Sequence, residues 1–283
     1  MRVLVTGAGG MVGSALVTHC RSVGDEVFAY DHQSLDIADH DAVSTVLQFD
    51  RPDAVINCAA YTDVDGSESA PEKARAANAL GPENLATASR LINAKFITVS
   101  TDYVFDGFKD GFYSELDEPN PQSVYGHSKL EGELLSQNAN PRTSVVRAAM
   151  IFGRGGKNFL SRIVERADRG EPMKAIKDAF GTPTYAVHLA SRLRELAQID
   201  ASGVFHVVNS GPGVSFEEFT RLALDLAGYE ATKIESVSMA TLKRPAARPS
   251  NSRLRSVRLD EIGLPELPPL ERAIREFVAK RGV

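Results

Sequence analysis

The first twenty-four residues constrain this chain most. Arg2–Thr6 is a short β-branched run that breaks directly into Gly7-Ala8-Gly9-Gly10-Met11-Val12-Gly13. Apolar residues then recur at helical spacing, at Val12, Leu16, Val17 and Val23, until Gly24 stops the pattern. A strand that turns through glycines into a helix is the opening of a βαβ unit. The alternation continues. Glu26–Tyr30 reads as a strand, 39–49 as a helix, and Ala54–Asn57 as a buried strand. An Ala-rich helical stretch runs from Pro71 to Ile92, with a break expected at Gly81-Pro82. Lys95–Ser100 is a fourth strand, Tyr125–Gln137 a helix, and Thr143–Met150 a fifth strand. Strands separated by helices need right-handed crossovers and form a parallel sheet covered on both faces. The expected fold class is therefore α/β, a Rossmann-type doubly wound parallel sheet with a smaller C-terminal substrate-binding lobe.

The second half is richer in Pro and Gly. Phe159–Arg169 and Val187–Gln198 read as helices and Val204–Asn209 as a strand. Ser215-Phe216-Glu217-Glu218 is a capping box ahead of a helix over 219–227, and a last helix ends near Arg281. The domain reading is 1–150 for a nucleotide-binding part and 151–283 for a mainly substrate-binding lobe, with an approximate, interleaved boundary. A cleft between such lobes is where small ligands sit.

Composition narrows the partners. Of 283 residues, 43% are hydrophobic and 24% charged, ordinary values for a globular chain that buries a core without staples. A net charge of -5 implies no basic face, which argues against nucleic acid polymers and anionic membranes as partners. Two cysteines, Cys20 and Cys58, offer no disulfide framework and no metal-like pairing. No apolar run approaches the ~18 residues of a membrane span. The N-terminus lacks signal-peptide architecture, so a cytoplasmic location is expected.

Gly7, Gly10 and Gly13 lie where a pyrophosphate would sit against a helix N-terminus. The turn needs residues without Cβ, and the first helical N–H groups are free to bind an anion. Gly7, Gly10 and Gly13 are the expected phosphate loop. Asp31 ends the second strand, eighteen residues beyond Gly13 and close to the ~20 expected of an acid that binds the adenosine ribose. A carboxylate there repels a 2′-phosphate and leans toward NADH. His32 beside it softens that bias, so NADPH stays open. Asp36 and Ile37 either flank the adenine or open the next helix.

Tyr125-Gly126-His127-Ser128-Lys129 places a phenol and an ammonium four apart on one helical face. The expectation is that Lys129 lowers the Tyr125 pKa and holds ribose hydroxyls, while Tyr125 passes a proton to a developing alkoxide. Tyr229 and Lys233 repeat the spacing far from the glycine loop, after Gly228, and read as a decoy. Ser100-Thr101-Asp102-Tyr103 ends the fourth strand, whose C-terminal end opens onto the ligand crevice of a parallel sheet. A hydroxyl there can stabilise an oxyanion. His19, His40, His188 and His206 form no ligand spacing. Asp63, Asp65, Glu68 and Glu72 form an acidic cluster that reads as a solvated helix start.

Thr-Gly-x-x-Gly-x-x-Gly, Asn57-Cys58-Ala59-Ala60 and Tyr-x-x-x-Lys together resemble the extended short-chain dehydrogenases/reductases. More narrowly, Leu35-Asp36-Ile37, Ala60-Tyr61-Thr62-Asp63-Val64-Asp65, Ser100-Thr101-Asp102-Tyr103-Val104-Phe105, Phe180-Gly181-Thr182-Pro183-Thr184 and Arg248-Pro249-Ser250-Asn251-Ser252-Arg253-Leu254 resemble the dTDP-4-dehydrorhamnose reductase family across nearly the whole chain. The resemblance implies NAD(P)H-dependent reduction of the C4 ketone of a nucleotide-linked 4-keto-6-deoxyhexose. It implies that Gly10, Met11, Val12, Asp31, Asp36, Ile37, Ala59, Ala60, Tyr61, Thr62 and Val99 line the cofactor. Thr101 and Asp102 would contact the sugar, and Thr101, Tyr125 and Lys129 would carry the reaction. Some members use magnesium at a homodimer interface, which the residues themselves do not establish. Where the family often has a sugar-stacking Trp, this chain reads Arg147-Ala148-Ala149-Met150 and has no Trp at all. Met150 either packs against the sugar or belongs to the core. Two alternatives accompany this reading: another nucleotide-sugar reductase or epimerase, and a non-catalytic subunit like the β subunit of methionine adenosyltransferase.

Overall fold

The computed structural model describes residues 1–156, 158–229 and 234–279. In chain order it forms β1 (Arg2–Thr6), α1 (Met11–Ser22), β2 (Glu26–Tyr30), α2 (His40–Asp50), β3 (Ala54–Asn57), α3 (Val64–Ser69), α4 (Pro71–Arg75), α5 (Gly81–Leu91), β4 (Lys95–Thr101), α6 (Val124–Ala139) and β5 (Thr143–Ala148). Short strands β6 (Ile151–Phe152), β7 (Met173–Ile176), β8 (Phe180–Gly181) and β9 (Thr184–Tyr185) follow, with α7 (Phe159–Asp168) between β6 and β7. After them come α8 (Ala186–Gln198), β10 (Gly203–His206), β11 (Asn209–Ser210), β12 (Val214–Ser215), α9 (Phe216–Leu226), β13 (Ile234–Val237), β14 (Leu267–Pro269) and α10 (Leu270–Ala279). The helix end expected near Arg281 lies outside the described residues, as does Lys233.

Six strands pair in the order β10-β5-β4-β3-β1-β2, and every pairing is parallel. Val3, Val5, Ile56 and Ile97 pack on one face with Leu16 of α1 and Leu189 and Leu193 of α8. Leu4, Val55 and Phe96 pack on the other with Val43 and Leu47 of α2 and Leu85 of α5. This is the expected doubly wound parallel sheet. Its sixth strand, β10, comes from beyond residue 150, and α8 covers the sheet beside α1.

Three local readings change. Gly81-Pro82 does not break the helix, and Gly81 is right-handed helical at φ -58°. Proline has no N–H to give and its ring crowds the carbonyl four residues back. The backbone answers by widening over Ala76–Leu80 into a π turn, closed by the Gly81 N–H on the Ala76 carbonyl. The fifth strand stops at Ala148, two residues early, because Met150 turns into the left-handed region at φ 44°. The strand expected over 204–209 divides into β10 and β11. The capping box holds: the Ser215 hydroxyl accepts from the Glu218 N–H, and the Glu218 carboxylate accepts from the Ser215 N–H.

Under the sheet's edge, α6 meets β5 through a buried ion pair. The guanidinium of Arg147 donates to Glu133 from Nη2 at 2.6 Å and from Nε at 3.0 Å, and both side chains are under 5% exposed. The Ser100 hydroxyl also donates to Glu133, and the Phe105 ring lies 5.1 Å from the Arg147 guanidinium carbon. Removing one partner strands the other charge in the interior. Glu133→Ala is expected to lower unfolding free energy by roughly 3–5 kcal/mol in urea titration. A loss below about 1 kcal/mol would show that Arg147 finds another counter-charge.

Candidate active site

One polar tie joins the C-terminal ends of β1 and β3 to the middle of β4. The Asn57 carboxamide accepts from the Thr6 hydroxyl at 2.7 Å and from the Ala59 N–H at 3.0 Å, and donates to the Thr98 hydroxyl at 3.0 Å. Beside it, the glycine loop closes with the Gly10 N–H on the Gly7 carbonyl at 2.9 Å. A Cβ at Gly13 would lie 2.2 Å from that carbonyl oxygen, so only glycine lets α1 start so close to the turn. No side chain caps α1 and its first turn carries no acid. Its unpartnered N–H groups and positive dipole end suit the pyrophosphate of a dinucleotide.

A cavity of about 630 Å³ opens at this turn. Gly7, Gly10, Asp31, Asp36, Ile37, Ala59, Ala60 and Tyr61 line it, together with Lys73. Asp31 is ordered by its own loop: its Oδ1 accepts from the Gln33 and Ser34 N–H groups and the Ser34 hydroxyl. Those hydrogen bonds, the Ser34 hydroxyl's first, hold its carboxyl below the usual range. The Tyr61 backbone is clamped by Asn78, which accepts from its N–H at 2.8 Å and donates to its carbonyl at 3.0 Å. Asn78 also donates to Ser128 on α6 and so joins the cofactor loop to the helix of Tyr125.

A second cavity of about 790 Å³ shares Gly10, Cys58 and Ala60 with the first. Met11, Val12 and Thr62 form one wall, Val99, Thr101, Asp102, Tyr125 and Lys129 the floor, and Met150, Asn158 and Arg162 the far side. Gly13 alone of the expected residues lines neither cavity; it is packed under the turn. A third space of about 150 Å³ continues past Asp102, Tyr103 and Met150 to Phe180, Arg244, Arg248 and Ser252.

Tyr125 is set by its neighbour. A Cβ on Gly126 would lie 2.4 Å from the Tyr103 carbonyl oxygen, so glycine permits the first turn of α6 to press against that backbone. The Tyr103 and Tyr125 rings then meet edge to face at 5.6 Å. Burial pushes the Tyr125 phenol well above its usual range, Asp102 and Tyr103 add to this, and a hydrogen bond with Thr101 opposes it. The expected lowering by Lys129 is absent. Burial pulls the Lys129 ammonium itself down to about 8, and its Nζ donates to the Val99 carbonyl at 2.8 Å. Asp102 is raised to about 6 by burial, against hydrogen bonds from Ser252 and Thr101.

The acidic cluster is more than a solvated helix start. Asp63 caps α3, and the Glu68 carboxylate accepts from the Val124 N–H at 2.9 Å. Asp65 accepts both guanidinium nitrogens of Arg248, at 2.8 and 2.7 Å. Arg248 holds Asp65 down to about 2. No group of three or more His, Cys, Asp or Glu positioned for a metal occurs among the described residues. Tyr229 of the second Tyr-x-x-x-Lys bonds Asp168 and lines none of these cavities. Sequence reasoning missed Asn78, Arg162 and Arg244, which carry no motif of their own.

The family model for the RmlD substrate binding domain matches residues 1–282. The chain belongs to the RmlD family. A dTDP-4-dehydrorhamnose reductase of Mycolicibacterium smegmatis is 36% identical over 98% of this chain and 85% of its own length. A probable low-salt glycan biosynthesis reductase of Haloferax volcanii is 39% identical over 89% of each. Among solved structures, the dTDP-4-dehydrorhamnose reductase of Bacillus anthracis in complex with NADP superposes with a TM-score of 0.95 at 32% identity, covering 99% of both chains. In this RmlD-family chain, Gly126→Ala is expected to displace Tyr125. A displacement of about 1 Å costs ~10²-fold in turnover. Cofactor affinity, read by fluorescence titration, should be unchanged; an unaltered kcat would show that Gly126 does not set the phenol.

Proposed function

We propose that this protein reduces the C4 ketone of dTDP-4-dehydro-L-rhamnose with NADH or NADPH, giving dTDP-L-rhamnose for cell-surface polysaccharide. One observation carries the reading: Thr101, Tyr125 and Lys129 share a floor with the glycine loop on one side and Met150 on the other. Membership of the RmlD family and the reductases among its relatives support the choice of reaction and substrate. The same intact set speaks for an enzyme over a non-catalytic subunit. Residues 1–150 are assigned mainly to the cofactor and 151–283 mainly to the sugar nucleotide, with β10 and α8 as structural exceptions.

The bound cofactor supplies the hydride. The α1 N-terminus with Gly10, Met11 and Val12 holds its pyrophosphate, Asp31 its adenosine ribose, and Lys129 the second ribose. Asp36, Ile37, Ala59, Ala60, Tyr61, Thr62 and Val99 shape the walls. Thr101 donates a hydrogen bond to the ketone oxygen and orients it. Tyr125 donates its proton to the oxyanion. Its raised pKa keeps the phenol loaded at neutral pH, and an alkoxide is still the stronger base. Met150 lies against the sugar, and Asp102 bonds a sugar hydroxyl. Arg244 and Arg248, with Phe180 beside them, suit a diphosphate and a base. No described helix is long and apolar enough to cross a membrane. A cytoplasmic homodimer is part of the proposal.

Tyr125→Phe removes the proton donor and keeps the ring. Turnover of NADH or NADPH with the keto-sugar nucleotide should fall at least ~10²-fold, with cofactor binding intact. Tyr229→Phe should leave it nearly unchanged; equal losses from the two changes would sink the assignment. Asp31→Ala should shift the kcat/KM ratio toward NADPH, since the carboxylate no longer repels a 2′-phosphate while Lys73 remains in the same cavity. An unchanged ratio in steady-state kinetics would separate Asp31 from the ribose.

A further inference from the structure

We infer that Lys73, held on the ring of Tyr61, is the cation that takes a phosphate of the adenosine half of the cofactor. This rests on the reading of the glycine-loop cavity as the dinucleotide site, proposed above, and adds to that site a residue that no motif marks. Lys73 lies on α4, and its Nζ stands 5.0 Å from the centroid of the Tyr61 ring. The face of an aromatic ring attracts an ammonium, so this long, exposed side chain is biased toward one place.

The ring itself is fixed from two sides. Asn78 grips the Tyr61 backbone at both its N–H and its carbonyl. Gly66 of α3 makes room for the phenol, since a Cβ there would lie 2.7 Å from the Tyr61 oxygen. Two residues along α4, Arg75 turns the other way and donates to Glu131 of α6 from Nη2 at 2.7 Å and from Nε at 2.9 Å. No carboxylate among the described residues pairs with Lys73 in this way, and its charge is left to the cavity that Tyr61 lines.

The charges around that cavity give Lys73 its task. Asp31 and Asp36 line the space, and Lys73 is the one lysine or arginine among the described residues that do. Each acid is engaged by its own loop: Asp31 Oδ1 accepts from the Gln33 and Ser34 N–H groups, and Asp36 Oδ1 from the Ala38 N–H at 3.0 Å. A dinucleotide brings two negative charges in its pyrophosphate, and NADPH adds a phosphate on the adenosine ribose. The N-terminus of α1 offers free N–H groups and a partial charge, whereas Lys73 offers a full one. The cavity floored by Thr101, Tyr125 and Lys129 does not include Lys73, so this cation serves the adenosine side and has no part in the proton transfer. An ammonium is a compact charge on a flexible stem and can meet a phosphate at either position, the 5′-phosphate of both cofactors or the 2′-phosphate of NADPH. In the second case Asp31 and Lys73 act with opposite sign at one end of the cofactor: the carboxylate favours a bare ribose and the ammonium a phosphorylated one.

Cofactor binding without substrate tests this. Kd values for NADH and NADPH, read by cofactor fluorescence over a range of salt concentrations, are compared for wild type, Lys73→Met, Tyr61→Phe and Tyr61→Leu. Lys73→Met keeps an apolar stem and removes the charge. It should raise Kd about 3- to 5-fold, the strong end for a solvent-exposed ion pair, and flatten the dependence of Kd on salt. A rise for both cofactors places Lys73 at the 5′-phosphate, and a rise for NADPH alone places it at the 2′-phosphate. Tyr61→Phe keeps the ring face and should keep the wild-type salt dependence, while Tyr61→Leu should flatten it as Lys73→Met does. Adenosine, which carries no phosphate, should compete equally well in wild type and Lys73→Met. A change below about twofold for both cofactors, an unaltered salt dependence in Lys73→Met or Tyr61→Leu, or an equal loss for adenosine overturns the inference. A wild type that binds neither cofactor overturns the proposed function and the inference together; wild-type binding with any contrary result overturns the inference alone.

Discussion

The carboxamide of Asn57 holds together three neighbouring strands, β1, β3 and β4, whose C-terminal ends open onto one crevice. β1 and β3 pair from Val3 and Ala54, so Thr6 and Asn57 stand opposite each other. β3 and β4 pair from Ala54 and Lys95, so Asn57 also stands opposite Thr98. A single side chain with one acceptor oxygen and two donor hydrogens can serve both neighbours and the Ala59 N–H beyond them. Asn57 is 0% exposed and Thr6 and Thr98 are buried with it, so their side chains cannot turn to water instead. The glycine turn follows β1, the Ala59-Ala60-Tyr61 wall follows β3, and Thr101 and Asp102 follow β4. Their relative placement is inherited from this tie.

The first five strands were legible because each carries a local signal: β-branched runs, glycine stops, and helical periodicity between them. Strands β1, β2 and β3 match their sequence readings residue for residue. The glycine loop and the Tyr125/Lys129 face were legible for the same reason, since both depend on spacing along one short segment. The Gly81-Pro82 reading failed through a neighbouring solution. Proline demanded that a hydrogen bond be lost, and the chain lengthened one turn instead of stopping.

The rest depends on contacts that no local pattern announces. Asp65 and Arg248 are 183 residues apart in sequence, and charge counting along either segment shows only a solvated acid and a basic loop. Their pairing ties down the segment that places Arg244 and Ser252 beside Phe180 on the far side of Asp102. Met150 is a similar case. Its left-handed backbone at φ 44° is unfavourable for a side chain, so packing must hold it, and a Cβ on Gly181 would lie 2.5 Å from its sulfur. A residue that reads as either sugar contact or core packs against a core cluster and also lines two of the cavities.

Charge at the floor follows from burial more than from partners. The helical spacing of Tyr125 and Lys129 suggested that the ammonium would acidify the phenol, but spacing says nothing about solvent. Burial favours the neutral form of every group it covers, lowering Lys129 and raising Tyr125 and Asp102 together. Glu133 resists this at Lys129, one helical turn further along α6, while its own charge is balanced by Arg147. The buried ion pair therefore does two things at once. It joins α6 to β5 under the floor, and its carboxylate opposes the pull of burial on Lys129. A floor built this way keeps its phenol protonated before any ligand arrives.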